Sequence, residues 1–125
     1  MKSKEITECE KVVMKCVWDS SEDLSMQDVT TMVNERFGKE WKTQTVSTFL
    51  ARLVKKEYLK MYRKGRCFYY RPLVEKDEYK TDELRDYVQF WNGGNMSAFV
   101  SALCKDGLLS EADREDLKKK INELD

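Results

Sequence analysis

The 125-residue chain is 41% hydrophobic and 37% charged, which allows one modest core beneath a strongly ionic surface. It contains no histidine, which removes Ser–His and Cys–His nucleophiles and every histidine metal site. Its longest apolar run, residues 67–70, is four residues long; a membrane helix needs about 20, so no membrane partner is expected, and a polar opening without a signal-like apolar segment points to the cytoplasm.

In chain order, the first helix begins at Thr7. It stands three residues before Glu10, the spacing of a capping box that satisfies free N–H groups at a helix start. Cys9, Val12, Val13, Cys16 and Val17 then recur at helical period. Ser25 and Asp28 repeat the cap signal ahead of a second helix carrying Val29, Met32, Val33 and Phe37 inward, with Gly38 placed to end it. Thr43 opens a third, whose inner face is Val46, Phe49, Leu50, Leu53 and Val54. From residue 58 to 72 the texture turns aromatic and β-prone around Arg63-Lys64-Gly65-Arg66, a glycine turn between two strands at 58–62 and 67–71. Three helices and a basic hairpin make a winged helix-turn-helix.

Beyond Pro72 the pattern is helical again. A long helix over about 75–91 is broken by Asn92-Gly93-Gly94. A shorter one over 95–104 presents Met96, Phe99, Val100, Leu103 and Cys104. A last one, capped by Ser110 with Asp113, carries Leu117, Ile121 and Leu124. Helices this short are marginal without packing, so a second copy of the chain is the expected partner. Val88, Trp91, Phe99, Val100, Leu103, Leu117 and Ile121 are its candidate interface. The expected fold is mainly α with a small β-hairpin wing: a winged-helix DNA-binding domain over 1–74 and a helical dimerisation domain over 75–125.

The zero net charge is a sum of opposites. Residues 1–72 hold 15 Lys/Arg against 10 Asp/Glu, and residues 39–72 alone hold 10 against 2. A basic segment inside a neutral chain points to a polyanion. Between Lys42 and Lys56 there is no acid at all. In a helix-turn-helix the second helix of the motif enters the major groove. The outward residues Gln44, Thr45, Ser47 and Thr48 are therefore candidate base readers, since Gln can bond adenine bidentately and Thr methyls can touch thymine methyls. Lys42, Arg52, Lys55 and the wing cations Arg63, Lys64 and Arg66 are candidate phosphate contacts. The wing aromatics Tyr58, Tyr62, Phe68, Tyr69 and Tyr70 either pack the wing on the helices or stack unpaired bases.

No catalytic constellation is present, and an enzyme is not expected. Glu8 and Glu10 sit at a helix start where capping explains them, and no phosphate-cradling glycine loop occurs. The four cysteines show no CxxC pairing, so neither a metal nor a cofactor is expected. Cys9, Cys16 and Cys104 fall on apolar helix faces and are expected to be buried. Cys67 follows Arg66, where positive charge favours a reactive thiolate.

Three stretches resemble a known family: T-E-C-E-K-V-V-M-K-C-V-W (residues 7–18), W-K-T-Q-T-V-S-T-F-L-A-R-L-V-K-K (41–56) and R-K-G-R-C-F-Y-Y-R-P-L-V (63–74). They look like the BlaI/MecI/CopY repressors of bacteria, over about residues 6–124. The resemblance implies a homodimer whose winged helices bind inverted-repeat operators of duplex DNA and whose C-terminal helices interlock. It also implies a resistance or stress operon under control and release by an inducer-linked event. The chain departs from the family pattern at Lys42-Thr43, where Ser-Pro is usual, at Gln44, where Lys is usual, and at Glu57, where Gly is usual. It ends without the terminal cysteine cluster of the copper-sensing branch. At the bond that a sensor protease cuts in the penicillinase branch, Asn–Phe is replaced by Ala102–Leu103. The alternative reading is a winged-helix protein-interaction module, or an anti-repressor without DNA binding.

Overall fold

The computed structural model describes residues 4–105 and 107–124. The outermost residues of the two expected domains, 1–3 and 125, therefore lie outside it, as does 106. The chain forms two compact units, one through Lys80 and one from Thr81 onward.

The first unit begins with three helices, α1 (Glu8–Asp19), α2 (Met26–Phe37) and α3 (Thr43–Lys55). Local chemistry sets their starts. Thr7 and Glu10 close a reciprocal capping box on α1, as Ser25 and Asp28 do on α2. Gly38 ends α2 in the left-handed region at φ 63°, a conformation that costs glycine nothing. Between α1 and α2 lies β1 (Leu24–Ser25), which the sequence pattern did not reveal. It pairs antiparallel with β3 (Cys67–Pro72), which in turn pairs with β2 (Leu59–Lys64), giving the order β1-β3-β2. Leu24 faces Tyr70 and Met61 faces Tyr70 from the other side, so β3 is the central strand.

Two boundaries differ from expectation. Tyr58 precedes the hairpin instead of opening it, because the end of α3 closes over it: Tyr58 N–H donates to Leu53 C=O at 2.9 Å and Glu57 N–H to Val54 C=O at 3.0 Å. These are the two bonds of a Schellman motif, with Glu57 in the left-handed position at φ 64°. The first strand also runs further towards the turn, to Lys64, pairing Arg63 with Phe68 and Lys64 with Cys67.

Val13, Met14, Cys16 and Val17 of α1 form a core with Val29 and Val33 of α2 and Val46, Leu50 and Leu53 of α3. Leu24, Tyr58, Leu59 and Tyr70 close it from the sheet side. Asp19 at the end of α1 ties several elements together. It accepts from Lys15 and Arg36, both at 2.8 Å, and from Lys76 at 3.1 Å. These bonds, from Lys15 first, hold its carboxyl well below the usual carboxylate range. Residues 76–80, the start of helix α4 (Lys76–Asn92), pack here too. The Trp18 indole N–H donates to Val74 C=O at 2.9 Å, and its ring lies 5.2 Å from that of Tyr79.

The second unit holds the rest of α4, then α5 (Met96–Lys105) and α6 (Glu111–Asn122), the last with a Ser110–Asp113 capping box. Neither α5 nor α6 has a buried residue. Tyr87, Phe90, Trp91 and Phe99 form a ring cluster with centroids 4.8–6.4 Å apart, yet Phe90 is 77% and Trp91 66% exposed. The cysteines correct one expectation. Cys16 is buried, and that burial pushes its thiol pKa up, but Cys9 is half-buried and Cys104 is exposed. The apolar stripe of α5 is only partly covered in a single chain, with Phe99 and Leu103 half-buried and Met96, Val100 and Cys104 exposed. Among the described residues, no helix is long and apolar enough to cross a membrane.

Candidate nucleic-acid interface

Helix α3 divides cleanly by period. Val46, Leu50 and Leu53 are buried, while Gln44, Thr45, Thr48, Ala51, Arg52 and Lys55 are exposed, with Ser47 half-buried between them. The exposed face therefore carries two cations, an amide and small hydroxyl side chains, with no acid. Lys42, also exposed, stands at the N-cap position without a side-chain cap bond. The first turn of α3 thus has free N–H groups beside a cation, which suits an incoming phosphate. The Thr48 hydroxyl donates to Gln44 C=O at 3.1 Å. With its proton engaged there, the oxygen is left as an acceptor and the methyl as an apolar contact.

The turn that presents this helix is held by a residue that sequence pattern did not single out. Asn34 of α2 donates from its amide to Trp41 C=O at 2.9 Å and accepts from Trp41 N–H at 3.0 Å. This two-bond clamp across residues 38–41 fixes the loop between the motif's helices. The Trp41 ring then packs on Phe49 at 5.0 Å, and Arg52 lies over the other ring of the pair, 6.0 Å from the Phe49 centroid. Such a contact restrains the guanidinium while leaving its donors exposed.

At the wing tip Arg63, Lys64 and Arg66 are all exposed. Gly65 makes the tight turn at φ 68°, and Arg63 is steadied by a bond to Gly65 C=O at 3.1 Å and by the Phe68 ring. The aromatics divide. Tyr58 and Tyr70 are core residues. Tyr62 and Tyr69 stack on each other across the strands, with the Tyr62 hydroxyl bonded to Asp23. That bond to a carboxylate raises the Tyr62 pKa. Phe68 is half-exposed. Packing of the wing accounts for four of the five.

Of the candidate interface residues in the C-terminal helices, Trp91, Val100 and Ile121 are exposed and Phe99, Leu103 and Leu117 half-buried, but Val88 is fully buried within the single chain. Cys67 is exposed beside the wing cations. Among the described residues, no group of three or more Cys, Asp or Glu is arranged to hold a metal ion.

Comparison with known proteins agrees with this architecture. A family model described as penicillinase repressor matches residues 6–123. The chain is 25% identical to a penicillinase repressor of Staphylococcus aureus, covering 98% of this chain and 95% of that one. It is 29% identical to the penicillinase repressor of Bacillus licheniformis, over 96% of this chain and 86% of that one. Among solved structures it is similar to the Bacillus licheniformis BlaI monomeric form in complex with the blaP half-operator. There the identity is 31% and the TM-score 0.52, over 62% of this chain and 92% of that one.

Proposed function

The chain belongs to the penicillinase repressor family, and from that premise we propose that it is a sequence-specific transcriptional repressor acting as a homodimer on inverted-repeat operators in the cytoplasm. The observation that carries this reading is the acid-free exposed face of α3, set between a clamped turn and a cationic wing tip. Gln44, Thr45, Ser47 and Thr48 take the base-reading positions. Lys42, Arg52, Lys55, Arg63, Lys64 and Arg66 take phosphates. The family's known members are DNA-binding repressors, not enzymes, and the similar structure that carries a half-operator covers 62% of this chain.

The dimer reading is supported by the second unit. Large apolar side chains on all three of its helices remain exposed, among them Phe90, Trp91, Met96, Val100 and Ile121. The ring cluster of Tyr87, Phe90, Trp91 and Phe99 joins part of this surface into one apolar patch, and such patches mark association sites. A partner's matching helices cover Trp91, Phe99, Val100, Leu103, Leu117 and Ile121, with Val88 serving the chain's own packing. Release proceeds by cleavage within α5, where Ala102 is exposed, or by a protein partner; a metal is not its trigger. The alternative of a module without DNA binding gives no role to the cations clustered on α3 and the wing.

Titration of duplex DNA over a salt series tests the reading. Arg52→Ala and Lys55→Ala each weaken binding on every sequence and make the salt dependence shallower, by about one phosphate contact per protomer. Equal affinity of wild type and both variants at all salt concentrations refutes it.

A further inference from the structure

One cation of the basic segment is set apart from the rest. Lys56 follows α3 directly and caps its C-terminal end, with its N–H bonded to Arg52 C=O at 2.9 Å. Its ammonium does not stand free as those of Lys42 and Lys55 do. It donates to Glu10 Oε1 at 2.6 Å, and Glu10 is fully buried. The same Oε1 also accepts from Thr7 N–H at 2.8 Å, inside the capping box of α1. The other carboxylate oxygen, Oε2, is buried with no hydrogen-bonding partner among the described residues.

The chemistry of this pair is asymmetric. A buried carboxylate with one oxygen already unsatisfied cannot exchange its cation for water without a large desolvation penalty. Burial alone pushes the Glu10 pKa up. The bonds from Lys56 and Thr7 outweigh it and hold the carboxyl below its ordinary value, so it is charged at neutral pH. Lys56 is therefore neutralised from behind by the protein. DNA affinity driven by phosphate contacts comes from releasing the counterions that phosphates hold, one for each free cation that replaces them. A lysine already engaged by a buried carboxylate is not free to replace one.

We infer that Glu10 is a positioning residue for the DNA interface: it withholds Lys56 from the phosphate-contacting set and pins the C-terminal end of the recognition helix to α1. This rests on the DNA-binding reading above and deepens it. The phosphate contacts proposed above, Lys42, Arg52, Lys55 and the three wing cations, are by contrast all exposed. The Glu10 signal was legible only as a helix cap; its partner lies 46 residues away.

The test uses the full chain and two variants, with binding measured on a duplex of unrelated sequence over about 50–200 mM salt. Glu10→Gln keeps the side-chain shape and frees Lys56. The plot of log affinity against log salt then steepens by about one phosphate contact per protomer, so that the affinity lost over this range by a dimer grows roughly tenfold. Glu10→Gln/Lys56→Met removes both charges together, leaves no buried unpaired carboxylate, and returns the slope to the wild-type value. A purely structural role of Glu10 would not move the slope up and then back. If the double variant is shallower than wild type, Lys56 is a phosphate contact and the inference is overturned while DNA binding stands. An unchanged slope in Glu10→Gln also overturns it. If the wild type itself binds with no salt dependence, the DNA-binding reading fails and takes this inference with it.

Discussion

Glu57 occupies the left-handed position of the Schellman motif that ends α3, at φ 64°, and it is the one non-glycine residue with positive φ among those described. Its replacement by glycine should stabilise the protein. For an L-residue the left-handed region costs about 1–2 kcal/mol, because Cβ crowds the following carbonyl. Glycine returns part of that gain, about 0.5–1 kcal/mol, through the greater freedom of its unfolded chain. Removing an acidic side chain from beside the last α3 carbonyls adds a few tenths of a kcal/mol. Glu57 is exposed, so no core packing is lost. The net expectation is about 1 kcal/mol of added stability, or roughly 4–8 °C in Tm for a unit of this size. Thermal unfolding followed by circular dichroism, at one fixed protomer concentration, measures it. Glu57→Ala is the control, since it removes the charge but keeps Cβ, and it should gain only the few tenths due to charge. Equal gains from Gly and Ala, or no gain from Gly, would refute the assignment of strain to this position.

Two further outcomes follow from the fold and the exposed helices. The Asp19 pKa is depressed in the folded chain, so its contribution to stability is fully present above the unfolded carboxylate pKa of about 4 and is lost as pH falls through the lower folded value. Asp19→Asn should lower Tm at pH 7 and flatten the fall of Tm below about pH 4; a variant with the wild-type acid profile would show that Asp19 is not the tie between α1, α2 and residue 76. Trp91→Glu, at a position 66% exposed in the single chain, should leave the helical content intact but convert the proposed dimer to monomer by light scattering. Operator affinity should fall with it, because linking two modules raises their effective concentration; an unchanged mass would place the dimer contact elsewhere.

What the sequence revealed was what is local. The Thr7–Glu10, Ser25–Asp28 and Ser110–Asp113 boxes span three residues each, and all three form as read. The α3 stripe at helical period separated buried Val46, Leu50 and Leu53 from the exposed face with no knowledge of the fold. Non-local features escaped. β1 is two residues long and exists because Leu24 and Ser25 pair with Tyr70 and Tyr69; no propensity marks it. Asn34 reads as one more polar residue on α2 until Gly38 turns the chain back and places Trp41 against its amide. Cys104 shows the converse. A stripe at helical period says which face is apolar, not what covers it, and the single chain leaves that face partly open. Val88 and Trp91 share one stripe by spacing, yet packing within the chain takes the first and leaves the second exposed.

The central claim is that a pair of these α3 helices reads an inverted repeat. Selection of duplexes from a random-sequence pool by the purified full-length protein tests it most directly, followed by the same selection with Gln44→Ala and Thr48→Ala. The account predicts enrichment of two inverted half-sites whose centres lie about 34 Å apart, one helical turn, or a multiple of that. Each variant should relax preference at its own base position, Gln44→Ala by about 1–3 kcal/mol of discrimination, as for a bidentate contact, and Thr48→Ala by less. Recovery of sequences with no common half-site, or of the same motif at full stringency from both variants, would contradict it.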